Sequence, residues 1–234
     1  MAKQRLDKWL STESLSRKEA KQLLKEKRIT VNGAIVSDPS FKIDPERDAL
    51  CLNGQPIEIK KYSYIMLNKP QGVVSASSDP SDKTVIDILP EPLKRKGLFP
   101  AGRLDKDTTG FVLITDNGAF AHRILSPKHH VEKTYIASTT VSVDADGIHR
   151  LETGLELKDG TKFLPASVRK IEECVFEIKI VEGKYHQIKR MFASVGAPLT
   201  ALHRTQIGGL PLDDSLELGQ AREISNTELE QITR

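Results

Sequence analysis

The sequence predicts an α+β protein in two parts, a small N-terminal module of two short helices with hairpins and a larger strand-rich body. Three observations carry this. Ser16-Arg17-Lys18-Glu19 has the form of a capping box and opens an apolar-periodic stretch. Two Asn-Gly pairs, Asn32-Gly33 and Asn53-Gly54, sit between short apolar runs, as hairpin turns do. From Tyr62 onward, apolar runs of strand length alternate with turn residues. With 234 residues and 38% hydrophobic content, the chain can bury a sizeable core, as one large domain or two.

The first predicted helix holds Leu6, Trp9 and Leu10 on one face. Trp9 could stack on a nucleotide base or pack between the two helices, and packing is the commoner use of tryptophan. In the second helix, the Ser16 hydroxyl can cap Glu19 and be capped in return, and Ala20, Leu23 and Leu24 fall at i, i+3, i+4. Arg17, Lys21, Lys25 and Arg28 fall at i, i+4, i+8 and i+11, a cationic stripe with Lys18 beside it. Ile29-Thr30-Val31 and Ala34-Ile35-Val36 flank the first Asn-Gly turn. Leu50-Cys51-Leu52 and Pro56-Ile57-Glu58-Ile59 flank the second. Lys60-Lys61 would link this module, residues 1–59, to a body spanning 60–234.

Net charge is only +3, but it is unevenly spread. Residues 1–33 hold nine Lys/Arg against four Asp/Glu, while the remaining residues sum to −2. A basic head on a near-neutral body suggests a polyanionic partner for the head. The competing reading is a solvated helix face. The single-sign stripe favours contact with nucleic acid, since Glu19 and Glu26 lie outside it.

Several classes are excluded. No apolar run approaches the length of a membrane helix, and no secretory leader is recognisable, so a soluble cytoplasmic protein without membrane association is expected. Cys51 and Cys174 form no C-x-x-C pair, and His129-His130 lacks further ligands at helical spacing, so no metal site is expected. Neither a G-x-G-x-x-G fingerprint nor a P-loop is present, and no cofactor is expected.

In the body, Tyr64-Ile65-Met66-Leu67 reads as a short strand ended by Asn68-Lys69-Pro70-Gln71-Gly72. Phe111-Val112-Leu113-Ile114 reads as a buried strand. Asp116-Asn117-Gly118 is a turn into a helix through Ile124-Leu125. Tyr135-Ile136-Ala137 and 174–180 read as strands, the latter alternating with period two. Ile188, Met191, Phe192 and Val195 give a helix face, with Gly196 at its stop. The segment of greatest interest is 101–110, Ala-Gly-Arg-Leu-Asp-Lys-Asp-Thr-Thr-Gly. It places Asp105 beside Arg103 in a turn ahead of the buried strand, where chemistry is commonly located.

Three stretches resemble the pseudouridine synthases, in the right order. Gly102-Arg103-Leu104-Asp105 with Thr108-Thr109-Gly110 resembles the motif that carries the nucleophilic aspartate, Glu132-Lys133-Thr134-Tyr135 the motif that carries the active-site tyrosine, and 183–191 (Gly-Lys-Tyr-His-Gln-Ile-Lys-Arg-Met) the motif that carries the basic partner. Lys69-Pro70-Gln71-Gly72 is also similar. The N-terminal part resembles the RNA-binding module first known in ribosomal protein S4. Ser126-Pro127-Lys128-His129-His130, and an acidic tail of six acids and two bases over 213–234, resemble the branch acting on the small ribosomal subunit.

The resemblance implies a mixed, mostly antiparallel sheet with flanking helices. It implies isomerisation of a uridine in 16S ribosomal RNA, uridine 516, in naked or assembling RNA, by a monomer needing no cofactor. Other readings are a uridine of 23S RNA, or a non-catalytic RNA-binding assembly factor. Asp105 would be the nucleophile. Tyr135 would stack on the flipped base, unless it is an ordinary core tyrosine. Lys189 would pair with Asp105 and favour its charged form, with Arg190 as the competitor for that place. Arg103 would fill the vacated base position, or else pair with Asp107. Leu202 would line the uracil pocket or serve the core. Arg17, Lys18, Lys21, Lys25 and Arg28 would grip RNA through the helical module.

Overall fold

The computed structural model describes residues 3–11, 16–44, 47–57 and 62–233. The expected linker Lys60-Lys61, together with Glu58 and Ile59, lies outside the described residues. The chain divides into two compact units, 1–63 with 94–97, and 64–93 with 98–234.

In the first unit, helix Leu6–Leu10 precedes helix Arg17–Lys25. Ser16 Oγ accepts from Glu19 N, and Ser16 N donates to the Glu19 carboxylate, so the capping box forms. Strands Ala34–Ile35, Ile29–Val31, Leu50–Leu52 and Gln55–Pro56 pair in that order into an antiparallel sheet. Its two hairpins turn on Asn32-Gly33 and Asn53-Gly54. All four residues have positive φ, which matches the right-handed twist of the flanking strands. Leu6, Trp9, Leu10, Ala20, Leu24 and Ile29 share one core. Trp9 is 4% exposed, so it packs between the helices and offers no face to a base.

Among the described residues the last strand covers Gln55–Pro56, and its expected continuation through Glu58 and Ile59 lies outside them. The expected cationic stripe needs correction: the second helix stops at Lys25, and Lys27 turns left-handed with φ 55°, so Arg28 leaves the stripe. Its guanidinium instead donates to Asn53 Oδ1 at 2.8 Å and meets Glu26 at 3.4 Å. Arg17, Lys18, Lys21 and Lys25 are exposed and make no ion pair among the described residues.

The second unit is built on one large sheet. Its strand order is Ser167–Glu172, Val175–Ile180, Lys133–Thr139, Leu199–Ile207, Thr109–Thr115, Tyr64–Lys69, Ala221–Glu223. Every pair is antiparallel except Leu199–Ile207 against Thr109–Thr115. The fold is thus α+β with a mixed, mostly antiparallel sheet.

Apolar side chains leave both faces of this sheet. Ile65, Leu67, Val112 and Ile114 enter one core, while Met66, Phe111 and Leu113 enter the other. That is why 111–114 reads as an unbroken apolar run, since a strand covered on both faces has no polar side. Helices Ala145–Thr153 and Gln187–Ser194 pack on the first face through Leu151, Ile188, Met191 and Phe192. Helix Gly118–Leu125, capped by Asn117, packs on the second through Phe120 and Ile124. Phe192 is fully buried, so truncation to alanine would cost about 3–5 kcal/mol. This packing fixes the helix that carries Lys189.

Candidate active site

The turn that carries Asp105 precedes strand Thr109–Thr115 and is held from below by 69–75. Ser75 Oγ accepts from Leu104 N at 3.0 Å and donates to Leu104 O at 2.9 Å. Gly72 N donates to Lys106 O at 2.8 Å. Lys69 is 0% exposed, and its ammonium donates to Thr108 O at 2.7 Å, Pro70 O at 3.0 Å and Lys106 O at 3.4 Å. Burial pulls the Lys69 pKa down to about 8, against the pull of Asp107 and Asp105. A buried cation is tolerated when its donors are satisfied, and here three loop carbonyls satisfy it. Gly110 ends the turn with φ +102°, where a Cβ would lie 2.3 Å from Arg204 O. Only glycine lets these two backbones approach so closely.

Asp105 Oδ2 lies 2.9 Å from Lys189 Nζ, and its Oδ1 lies 3.6 Å from His186 Nε2. Lys189 also donates to Asp107 Oδ1 at 2.6 Å. Burial lowers the Lys189 pKa, but the bonds to Asp107 and Asp105 outweigh it and the net direction is up. The same bond to Lys189 holds the Asp107 carboxyl below its ordinary value. Arg190, one residue on, points elsewhere. It meets Asp159, donates to Thr161 Oγ1 at 3.2 Å, and lies 5.5 Å from the Phe163 ring. Successive helix residues differ by about 100° in direction, so one basic residue faces the carboxylate and the other cannot.

Tyr135 is 7% exposed, and its hydroxyl accepts from Arg204 Nη1 at 3.4 Å. Arg204 is itself buried and anchored by Nε to Phe111 O at 2.6 Å. Its Nη2 finds no hydrogen-bond partner among the described residues. Asp105, Tyr135, Lys189, Leu202, Arg103, Lys184 and His186 together line a cleft of about 90 Å³. Residues from three distant stretches, and Leu202 from a fourth, therefore share one small space. Arg103 is exposed at this cleft and makes no pair with Asp107, whose carboxylate is taken by Lys189. A larger cleft of about 340 Å³ lies among Tyr64, Asn117, Phe120 and Arg123. Size does not nominate it, because the carboxylate–lysine pair and the buried tyrosine sit in the smaller one.

Residues 63–194 match the family model described as RNA pseudouridylate synthase, and residues 4–48 match the S4 domain. The chain belongs to the RNA pseudouridylate synthase family. Among its relatives is the ribosomal small subunit pseudouridine synthase A of Escherichia coli (strain K12), 43% identical over 96% of this chain and 98% of that protein. Another is an uncharacterized RNA pseudouridine synthase, YtzG, of Bacillus subtilis (strain 168), 40% identical over 96% of each chain. A crystal structure of a pseudouridylate synthase matches with a TM-score of 0.69 at 38% identity, covering 97% of this chain and 99% of that one.

The synthase cleft contains parts that the sequence alone left without a role. Lys69 was visible within a family-like segment, yet nothing in the pattern marked it as buried. Arg204 lies in a strand whose alternation conceals a charged core residue, and His186 and Ser75 gave no signal of their own. His203 Nδ1 lies 2.8 Å from Thr109 Oγ1, and burial lowers its pKa. Among the described residues no cluster of His, Cys, Asp or Glu could hold a metal, and no helix is long and apolar enough to cross a membrane.

Proposed function

We propose that this synthase converts a uridine of small-subunit ribosomal RNA, uridine 516 of the 16S molecule, to pseudouridine, with Asp105 as nucleophile. The observation that carries the reading is the 2.9 Å pair of Asp105 and Lys189 in a cleft shared with Tyr135 and Leu202. The relative named a ribosomal small subunit pseudouridine synthase supports the choice of RNA.

The uracil N1–C1′ bond breaks, the base turns, and a C5–C1′ bond forms. The C5 proton is lost and N1 gains one, so composition is unchanged and no outside reactant is consumed. A carboxylate suits this, because it can attack carbon and depart again. Lys189 holds the carboxylate in place by a charge-assisted hydrogen bond. Tyr135, fixed by Arg204, stacks on the uracil and takes part in moving the proton. Leu202 packs against the ring. The uridine must leave its stack, at a cost of a few kcal/mol, and Arg103 at the cleft fills the space it vacates.

The module over 1–59 docks RNA through Arg17, Lys18, Lys21 and Lys25, and the body over 60–234 carries the chemistry. The protein acts as a cytoplasmic monomer. The test is to incubate the purified chain with 16S and 23S transcripts and map pseudouridine in both. Product at uridine 516 supports the proposal. Product only in 23S RNA moves the target, and no product in either contradicts the reading.

A further inference from the structure

Tyr185 is 72% exposed, the highest value among the exposed large apolar side chains of the described residues. Its ring stacks on His186, with centroids 3.8 Å apart and planes 19° from parallel. One face of the tyrosine is therefore covered and the rest is open. His186 reaches back into the cleft, its Nε2 3.6 Å from Asp105 Oδ1. It adopts a left-handed conformation, φ 49° and ψ 33°, immediately before helix Gln187–Ser194. Non-glycine residues take this conformation rarely, and they persist in it when surroundings enforce it. Here the turn is pinned from both ends. Gln187 N donates to Lys184 O, Lys184 N donates to Gln187 Oε1 at 3.0 Å, and the buried Gln187 Nε2 donates to Glu182 Oε1 at 2.9 Å. The stacked pair is a rigid two-ring step at the cleft that holds Asp105.

Resting on the isomerase reading above, we propose that Tyr185, backed by His186, is a stacking platform for the RNA base next to the target uridine. When the uridine leaves its stack, each neighbouring base loses a partner on one side. Arg103 enters the gap and can cover one of these bases, and a fixed aromatic face beside the cleft covers the other, since aromatic stacking is how proteins hold splayed single-stranded bases. An exposed tyrosine that merely shields His186 would have no such effect on RNA.

The test compares the full chain with Tyr185→Ala, Tyr185→Phe and Tyr185→Trp, using a fluorescently labelled 16S transcript. Affinity is read by anisotropy across salt, and product by single turnover. Tyr185→Ala should weaken binding about tenfold, the order of one lost base–aromatic stack. Phe and Trp should restore it. The slope of log K against log salt should not change, because no phosphate contact is lost. An abasic nucleotide beside the target should erase the difference between wild type and Tyr185→Ala. Unchanged affinity in Tyr185→Ala overturns the platform, and so does a Phe variant as weak as the Ala variant. Failure of the wild type to make product sinks the isomerase reading separately, while the affinity comparison still decides the platform.

Discussion

Replacing Gly110 with alanine tests how tightly the backbone seam behind Asp105 is closed. A Cβ there would lie 2.3 Å from Arg204 O and 2.7 Å from Arg204 N. Ordinary contact needs about 3.5 Å, so the strands must part by roughly 1 Å. The parallel seam consists of two paired positions, His203 with Thr109 and Arg204 with Gly110, and it is also crossed by Arg204 Nε to Phe111 O and His203 Nδ1 to Thr109 Oγ1, so parting it strains those bonds as well. Alanine at φ +102° costs about 1–2 kcal/mol in conformation. Loosening the seam adds about 1 kcal/mol per hydrogen bond. A total of about 3–4 kcal/mol lowers Tm by roughly 10 °C in a unit of this size. A displacement of about 1 Å beside a nucleophile can also cost on the order of a hundredfold in rate. The control is Gly160→Ala, where φ is +80° and a Cβ meets nothing within 4 Å. Calorimetry should show Gly110→Ala melting well below Gly160→Ala, and single-turnover assays should show only the first losing rate. Equal melting temperatures, or wild-type turnover in Gly110→Ala, would refute the reasoning.

Lys189→Met should cut turnover by about a hundredfold or more, equivalent to roughly 2.7 kcal/mol of barrier. Arg190→Met, which loses Asp159 and Thr161 instead, should cost stability and leave single-turnover rates near wild type. The reverse ranking reassigns the partner of Asp105. Changing Arg17, Lys21 and Lys25 together to glutamine should flatten the salt slope of RNA binding by roughly two to three units, with less effect on turnover at saturating RNA. An unchanged slope in a folded triple variant reduces the stripe to a solvated face. Hydrogen bonding to Arg222 holds the Glu228 pKa at about 2, below its ordinary 4.5. A depressed carboxyl contributes stability that is fully present above pH 4.5 and lost as pH falls toward 2. Thermal melts over that window should therefore decline less in Arg222→Met than in wild type, and parallel declines would remove the network from the account.

The segments legible in the sequence were those whose signal is local. The capping box at Ser16, the Asn-Gly turns and the apolar face of helix Gln187–Ser194 each fix a few neighbouring residues, and the structure has all of them. The unbroken run 111–114 announced a strand buried on both faces, though not which strands flank it. What stayed hidden depends on chain-distant partners. Lys69 looks like any lysine until the carbonyls of Lys106 and Thr108 close over it. Arg204 became a core residue only through Phe111 O and the Tyr135 hydroxyl. Arg28 departs from the helical pattern for a related reason. Its spacing continues that of Lys25, and the left-handed Lys27 that breaks the helix has no clear mark in its residue type.

The central claim, that Asp105 is the nucleophile of a uridine isomerase, is tested most directly by Asp105→Asn. Asparagine keeps the size of the side chain and most of its hydrogen bonds but removes the charge that attacks carbon and pairs with Lys189 at 2.9 Å. Single-turnover conversion of a 16S transcript should be undetectable in Asp105→Asn, while RNA affinity is largely retained. Pseudouridine formed at near the wild-type rate by the purified variant would contradict the account.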